Sequence, residues 1–215
     1  MKTFSLGDGV KNVLFVGAHC DDVEIGCGAT LTLLAQSRPD VKIHVVVFSG
    51  DEMRAAETRQ ALTRLVASKA KLDVQVLGFR DGFFPATWAQ VKEQFETLKR
   101  LQPDVIFTHH EHDRHQDHRI VCDLTWNTFR DHVVLEYEIP KWDGDLGQPA
   151  VYMPLPQDVV EHKISTLLDS FGSQAGKRWF TRELFSALMR IRGMECNAPS
   201  GYAEAFFARK LAAAW

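Results

Sequence analysis

Paired cysteines are missing from this chain. Its four cysteines stand at positions 20, 27, 122 and 196, with no CxxC pair and no short spacing of the kind that staples a small secreted fold, so reduced thiols are expected. Long apolar runs are missing too. The longest are strand-sized, far short of the about 20 residues of a membrane span, and the opening "MKTFSLGDGVKN" has no apolar core like that of a signal peptide. A cytoplasmic protein with no membrane span is predicted. The charge is not basic either: 25 Lys and Arg face 28 Asp and Glu, a formal net charge of -3, which offers no basic face to nucleic acid or an anionic membrane. Repeats and low-complexity linkers are absent, and 215 residues with 45% hydrophobic content are enough for one sizeable core. One domain over residues 1–215 is expected.

What is present is an alternation of strand-like and helix-like segments. "NVLFVG" (12–17), "KIHVVVFS" (42–49), "VQVLGF" (74–79) and "DVIFTH" (104–109) are rich in Val, Ile and Phe, as strands buried on both faces are. Helical segments are predicted between them, over about 26–37, 52–70 and 87–101. In the third, Trp88, Val91, Phe95 and Leu98 recur at helical spacing and share one face. Pro103 stops it and Pro85 lies just ahead of it. This order predicts an α/β fold: a three-layer sandwich with a mostly parallel, doubly wound (Rossmann-like) sheet and right-handed crossovers. Beyond residue 130 the pattern is weaker, with strands at "VVLEYEIP" and "AVYMPLP" and helices over 157–171 and 180–191.

If the strand order is 3-2-1-4, the first and fourth strands are neighbours, and their carboxyl ends border the crevice where such sheets bind ligands. The turn after the first strand, "GAHCDDVEIGCG", carries His19, Asp21, Asp22 and Glu24. The turn after the fourth, "THHEHDRHQDHR", holds five of the nine histidines within ten residues: His109, His110, His112, His115 and His118, with Asp113 and Asp117 among them. Taken singly, Asp22 reads as a helix cap, His19 as a turn histidine and the His-rich stretch as a solvated loop. Their convergence on one crevice points instead to a metal site, because metal ligands normally come from separate segments that folding brings together.

Imidazole and carboxylate suit Zn²⁺ or another divalent ion, and three protein ligands with an open position make a catalytic centre. His19, Asp22 and His118 are the predicted ligands. Asp21, between two of them, is placed to take a proton from the attacking water as general base. His115 lies a helical turn from His118 and can donate to a developing oxyanion and then to a leaving amine, with Asp117 orienting it or tuning it electrostatically.

At these residues the chain resembles the PIG-L or LmbE-like N-acetylglucosaminyl deacetylases. Their signature is Ala-His-x-Asp-Asp after the first strand, usually with Pro at x, and His-x-Asp-His after a later one; here the motifs read "AHCDD" (18–22) and "HQDH" (115–118). "RAAE" (54–57) is similar to the family's Arg-x-x-Glu and "RDG" (80–82) to its Asp-Gly turn, so the resemblance implies Arg54 and Asp81 as sugar contacts. Fainter likeness continues at "SQ" (173–174) and "GYAEAF" (201–206). The chain departs from the pattern at Cys20, which replaces Pro; at Glu24, one place beyond the family's common acid; at Asp113, where some members carry Tyr; and at Phe171, where many have His.

Other patterns fit less well. "HEHDRH" (110–115) misses the metallo-β-lactamase spacing by one residue, and "HD" at 112–113 follows a strand, whereas HD phosphohydrolases are all-helical. "GCG" (26–28) follows acids that would repel a pyrophosphate. The resemblance implies a zinc-dependent enzyme that hydrolyses the acetamide of an N-acetylglucosamine-like sugar or glycoconjugate to a free amine and acetate. Its partner would be a small-molecule amino sugar, with homo-oligomerisation left open. A metal-dependent phosphoesterase and a non-catalytic glycan-binding module are the alternatives.

Overall fold

The computed structural model of the protein describes residues 7, 9–67 and 69–212. Strand β1 (Asn12–His19) sends Val13 and Phe15 into one apolar core and Leu14, Val16 and Ala18 into another, as the two-residue period of a strand buried on both faces requires. Strands β2 (Lys42–Ser49), β3 (Lys71–Val76), β4 (Val105–His109) and β5 (Val133–Tyr137) run parallel to it, and Phe15 is in register with both Val45 and Phe107. Strands β6 (Val151–Pro154) and β7 (Ala203–Phe207) complete the sheet, in the order β3-β2-β1-β4-β5-β7-β6, with β7 antiparallel to both its neighbours.

Helices cover both faces. On one side, α1 (Asp22–Ser37), α2 (Glu52–Val66), α5 (Gln157–Ser170) and α6 (Arg182–Glu195) enclose the larger core; on the other, α3 (Trp88–Leu98) and α4 (Gln116–Thr128) enclose the smaller one. The expected doubly wound three-layer fold and the 3-2-1-4 order of the first four strands are both present. Among the described residues, no helix is long and apolar enough to cross a membrane.

Several boundaries differ from the sequence reading. Strand β3 occupies Lys71–Val76, and the apolar residues after it continue as coil tied to β2 by Leu77 N–H to Val47 O (2.8 Å) and Phe79 N–H to Phe48 O (3.0 Å). Helix α2 stops at Val66 because Ala67 turns into the left-handed region at φ 47°. In α3, Val91, Phe95 and Leu98 are buried, but Trp88 is exposed, since it sits at the helix's first turn, beyond the core. Helix α1 starts at Asp22, four residues earlier than expected, so the strand-to-helix turn is only Cys20 and Asp21.

Helix α1 is broken at Cys27, whose φ of -147° is non-helical. The break frees the Ile25 carbonyl and the Ala29 and Thr30 amides, which burial forbids leaving unpaired. Two residues from distant elements satisfy them. Glu204 accepts from Ala29 N–H (3.0 Å) and Thr30 N–H (2.7 Å), and Lys163 donates to Ile25 O (2.6 Å) and to Glu204 (2.6 Å). Tyr137 packs against the helix at Gly26, where a Cβ would stand 2.2 Å from the Tyr137 ring. No larger residue fits there.

Candidate active site

The carboxyl ends of β1 and β4 meet at the point where the strand order reverses. His19 is the last residue of β1, and Asp21 follows with φ 106°, a left-handed conformation that costs a non-glycine residue free energy and is retained where surrounding structure enforces it. The turn it makes buries Asp21 and Asp22 side by side at the start of α1. His115 and His118 come from the opposite side: His115 caps α4, its Nδ1 accepting from Asp117 N–H (3.3 Å), and His118 lies in the helix's first turn.

His19, Asp22 and His118 converge. His19 Nδ1 lies 3.2 Å from His118 Nε2 and 3.5 Å from Asp22 Oδ2, while His118 Nε2 lies 3.5 Å from Asp22 Oδ1. Around a tetrahedral ion with bonds of about 2.0–2.1 Å, ligand atoms stand roughly 3.3–3.4 Å apart. The two imidazoles stand at about that spacing, and Asp22 reaches each of them through a different carboxylate oxygen. The ring nitrogens that point away are held as well. His19 Nε2 is 3.1 Å from Asp117 Oδ2 and 3.1 Å from Asp81 Oδ1, and His118 Nδ1 is 2.9 Å from Asp113 Oδ2. Carboxylates in these positions fix the tautomer and raise the basicity of the nitrogen facing a metal.

The rest of the His-rich segment divides. His109 is buried beneath the site, 3.2 Å from Asp22 Oδ2, but its Nε2 accepts from Ala18 N–H (2.9 Å), which occupies the lone pair that a metal would need. His110 pairs with Glu136 (3.0 Å) and stacks on Phe207, and His112 is exposed. Three groups place one ligand atom from each residue within 4.8 Å of the others: His19, His115 and His118; Asp22, His109 and His118; and His19, Asp81 and Asp117.

Asp21 faces Arg54 Nη2 at 3.0 Å, and the same nitrogen donates to the Cys20 carbonyl. Burial, with Asp22 beside it, pushes the Asp21 carboxyl up to about 7 against the pull of Arg54. Burial lowers the pKa of His115 and the neighbouring His19 adds to this, outweighing the pull of Asp117. A neutral His115 whose Nδ1 accepts a hydrogen bond carries its proton on Nε2, so it is a donor even when uncharged. The Asp117 carboxylate is fully buried and accepts from Gly82 N–H (2.6 Å) and Phe84 N–H (3.2 Å) as well as facing His19. It ties the "RDG" turn to the centre. Asp81 in that turn is largely exposed and lines the cleft, as does Arg54.

Residues at the family's variable positions have structural places. Burial pushes the Cys20 thiol up to about 12, so it is no nucleophile. Glu24 is fully buried with neither oxygen hydrogen-bonded, and burial raises it to about 8. Phe171 belongs to the larger core. Asp113 binds His118, the His115 amide (2.8 Å) and Lys141 (3.1 Å). The sequence reading missed Lys141, Trp142, Asp143, Lys177 and Trp179, which line the same cleft of about 180 Å³ as the His/Asp cluster. They come from irregular segments after β5 and α5, where no periodicity marks them.

Fold and site together define a doubly wound α/β protein with a His/Asp cluster at the carboxyl edge of its sheet. The family model of PIG-L, GlcNAc-PI de-N-acetylase, matches residues 14–129, more than half of the chain, and the chain belongs to this family. The uncharacterized deacetylase YaiS of Escherichia coli (strain K12) is 29% identical over 175 residues, spanning 73% of this chain and 89% of that protein. The N,N'-diacetylchitobiose deacetylase from Pyrococcus horikoshii superposes with a TM-score of 0.72 at 19% identity, over 93% of this chain and 84% of the other. GalB, the 4-carboxy-2-hydroxymuconate hydratase from Pseudomonas putida KT2440, superposes at 0.69 with 18% identity, over 95% and 98%. At such identities these two likenesses concern the fold alone.

Proposed function

We propose that the protein is a zinc-dependent N-deacetylase that hydrolyses the acetamide of an N-acetylglucosamine-like sugar or glycoconjugate to the free amine and acetate. The observation that carries the reading is the convergence of His19, Asp22 and His118, whose nearest atom pairs lie 3.2 to 3.5 Å apart, with the buried Asp21 next to Asp22 in the chain. A divalent ion held by these three residues supplies Lewis-acid polarisation of the acetamide carbonyl and acidifies the attacking water.

The chain's own residues do the rest. Asp21 accepts the water's proton; its raised pKa makes it a stronger base than an ordinary carboxylate, and Arg54 keeps it aligned. Nε2 of His115 donates to the oxyanion that forms on the carbonyl oxygen, with its ring held by the Asp117 amide. The proton gathered on Asp21 then passes to the leaving nitrogen as the C–N bond breaks, and acetate departs. Arg54 and Asp81 are the proposed sugar contacts, since both line the cleft beside the centre.

Asp21, Asp22, Asp81 and Asp143 line the cleft together with Arg54, Lys141 and Lys177; Arg54 is bound to Asp21 and Lys141 to Asp113 and Asp145. The test is acetate release from a panel of N-acetylglucosaminides, before and after chelation and after zinc is restored, with p-nitrophenyl phosphate and an enol hydration substrate as controls. Zinc-restored acetate release supports the reading; phosphate release or hydration without it overturns it.

A further inference from the structure

The cleft has two unlike walls. One is the His/Asp cluster; the other carries two indoles, Trp142 and Trp179, and the charged Asp143 and Lys177 line the same cleft. We infer that Trp142 and Trp179 form a second subsite that takes the apolar face of another sugar ring, attached to the one whose acetamide is cleaved. This rests on the deacetylase reading above.

Size is the first argument. The cleft's volume of about 180 Å³ is below the roughly 300–1,000 Å³ of pockets that engulf a drug-sized ligand. A single ring occupies it, and whatever is attached must lie along the rim. Exposure is the second. Trp142 is 69% exposed, more than any other described Trp or Phe, yet its neighbour Lys141 is half-buried and fixed to Asp113 (3.1 Å) and Asp145 (2.5 Å). Asp113 in turn holds His118. The segment bearing the exposed ring is therefore anchored to the catalytic cluster, so a group resting on that ring stays in register with the acetamide.

The third argument identifies the chemistry. An indole face beside charged groups suits a ligand with an apolar face and a polar edge. Lys177 makes no ion pair among the described residues and lies 5.6 Å from the Trp179 ring centre, and Asp143 is only 3.9 Å from Lys141. A wholly apolar partner would bury these charges unpaired, which is costly. A pyranose lays its C–H face on the indole and offers hydroxyls to both charges.

The test compares the β-1,4-linked disaccharide of N-acetylglucosamine with its single-ring methyl glycoside. Trp142→Ala should lower the ratio of kcat/KM, disaccharide over glycoside, by roughly 2- to 13-fold, mainly through KM, and Trp142→Phe should recover most of it. An unchanged ratio in a variant with wild-type thermal stability overturns the subsite. So does an unchanged ratio with a loss of self-association by sedimentation, which would make Trp142 a protein contact. Tryptophan-fluorescence titration with both sugars gives a readout independent of turnover. If the wild type cleaves neither sugar, the deacetylase reading fails by itself; tighter disaccharide binding that Trp142→Ala abolishes still supports the subsite, and equal binding of the two overturns it.

Discussion

Replacing Lys163 by Met tests the account of the break in α1. The Lys163 side chain is only 3% exposed, and its ammonium bonds both Glu204 Oε1 and the Ile25 carbonyl at 2.6 Å. Methionine fills nearly the same volume, so little cavity forms and the loss is polar. It leaves a buried carboxylate without its counter-charge and a carbonyl without a donor, and breaking one side of a buried pair costs about 3–5 kcal/mol. For a chain of this size each kcal/mol moves the thermal midpoint by about 2–4 °C, so a fall of roughly 6–20 °C is expected. Glu204→Leu should cost more, because it also strands the Ala29 and Thr30 amides. Differential scanning calorimetry at neutral pH reads both. A midpoint within 2 °C of wild type in Lys163→Met, by the same scaling, would refute the claim that this pair completes the broken helix.

Three further outcomes follow from the site and the second polar cluster. Asp21→Asn keeps size and much of the hydrogen bonding but removes the proton acceptor, so metal content should persist while kcat falls by roughly 10² to 10⁴; loss of the metal would make Asp21 a ligand. Asp113→Ala removes the carboxylate on His118 Nδ1 and should weaken metal affinity by about 10- to 100-fold, read by competition with a chromophoric chelator. Burial pushes Glu136 up, but bonds from His110, Glu111 N–H, Trp126 and Arg209 outweigh it and bring it from 4.5 to about 2. Its stabilisation is thus complete above about pH 4.5 and lost as pH falls toward 2, an amount of roughly 3 kcal/mol. Glu136→Gln should flatten that part of the acid-stability curve, and an unchanged curve would show that Glu136 does not carry it.

The features legible in the sequence are those encoded within short segments. Val-rich runs gave the central strands, and the β-α alternation gave their order, which alone places His19 and Asp22 opposite His115 and His118. Helix α4 was harder to see because its first turn carries the His and Asp residues of the site, which mask a helical pattern. The Cys27 break left no mark, since Lys163 and Glu204, which satisfy it, lie 138 and 175 residues from their backbone partners. The sheet edge was also hidden: β7 is "AEAFF", whose inward Glu204 spoils the apolar run that a buried strand usually shows. Trp142 and Trp179 belong to irregular segments, and only folding brings them to the cleft.

The central claim is that His19, Asp22 and His118 hold the metal on which turnover depends, and elemental analysis and acetate release measured on the same samples test it most directly. The wild type should carry a single divalent ion per chain and release acetate from an N-acetylglucosaminide. Asp22→Ala should lose both together while its far-ultraviolet circular dichroism stays that of the wild type, because the sheet core is built without the ion. Full metal content with normal turnover in Asp22→Ala would contradict the account.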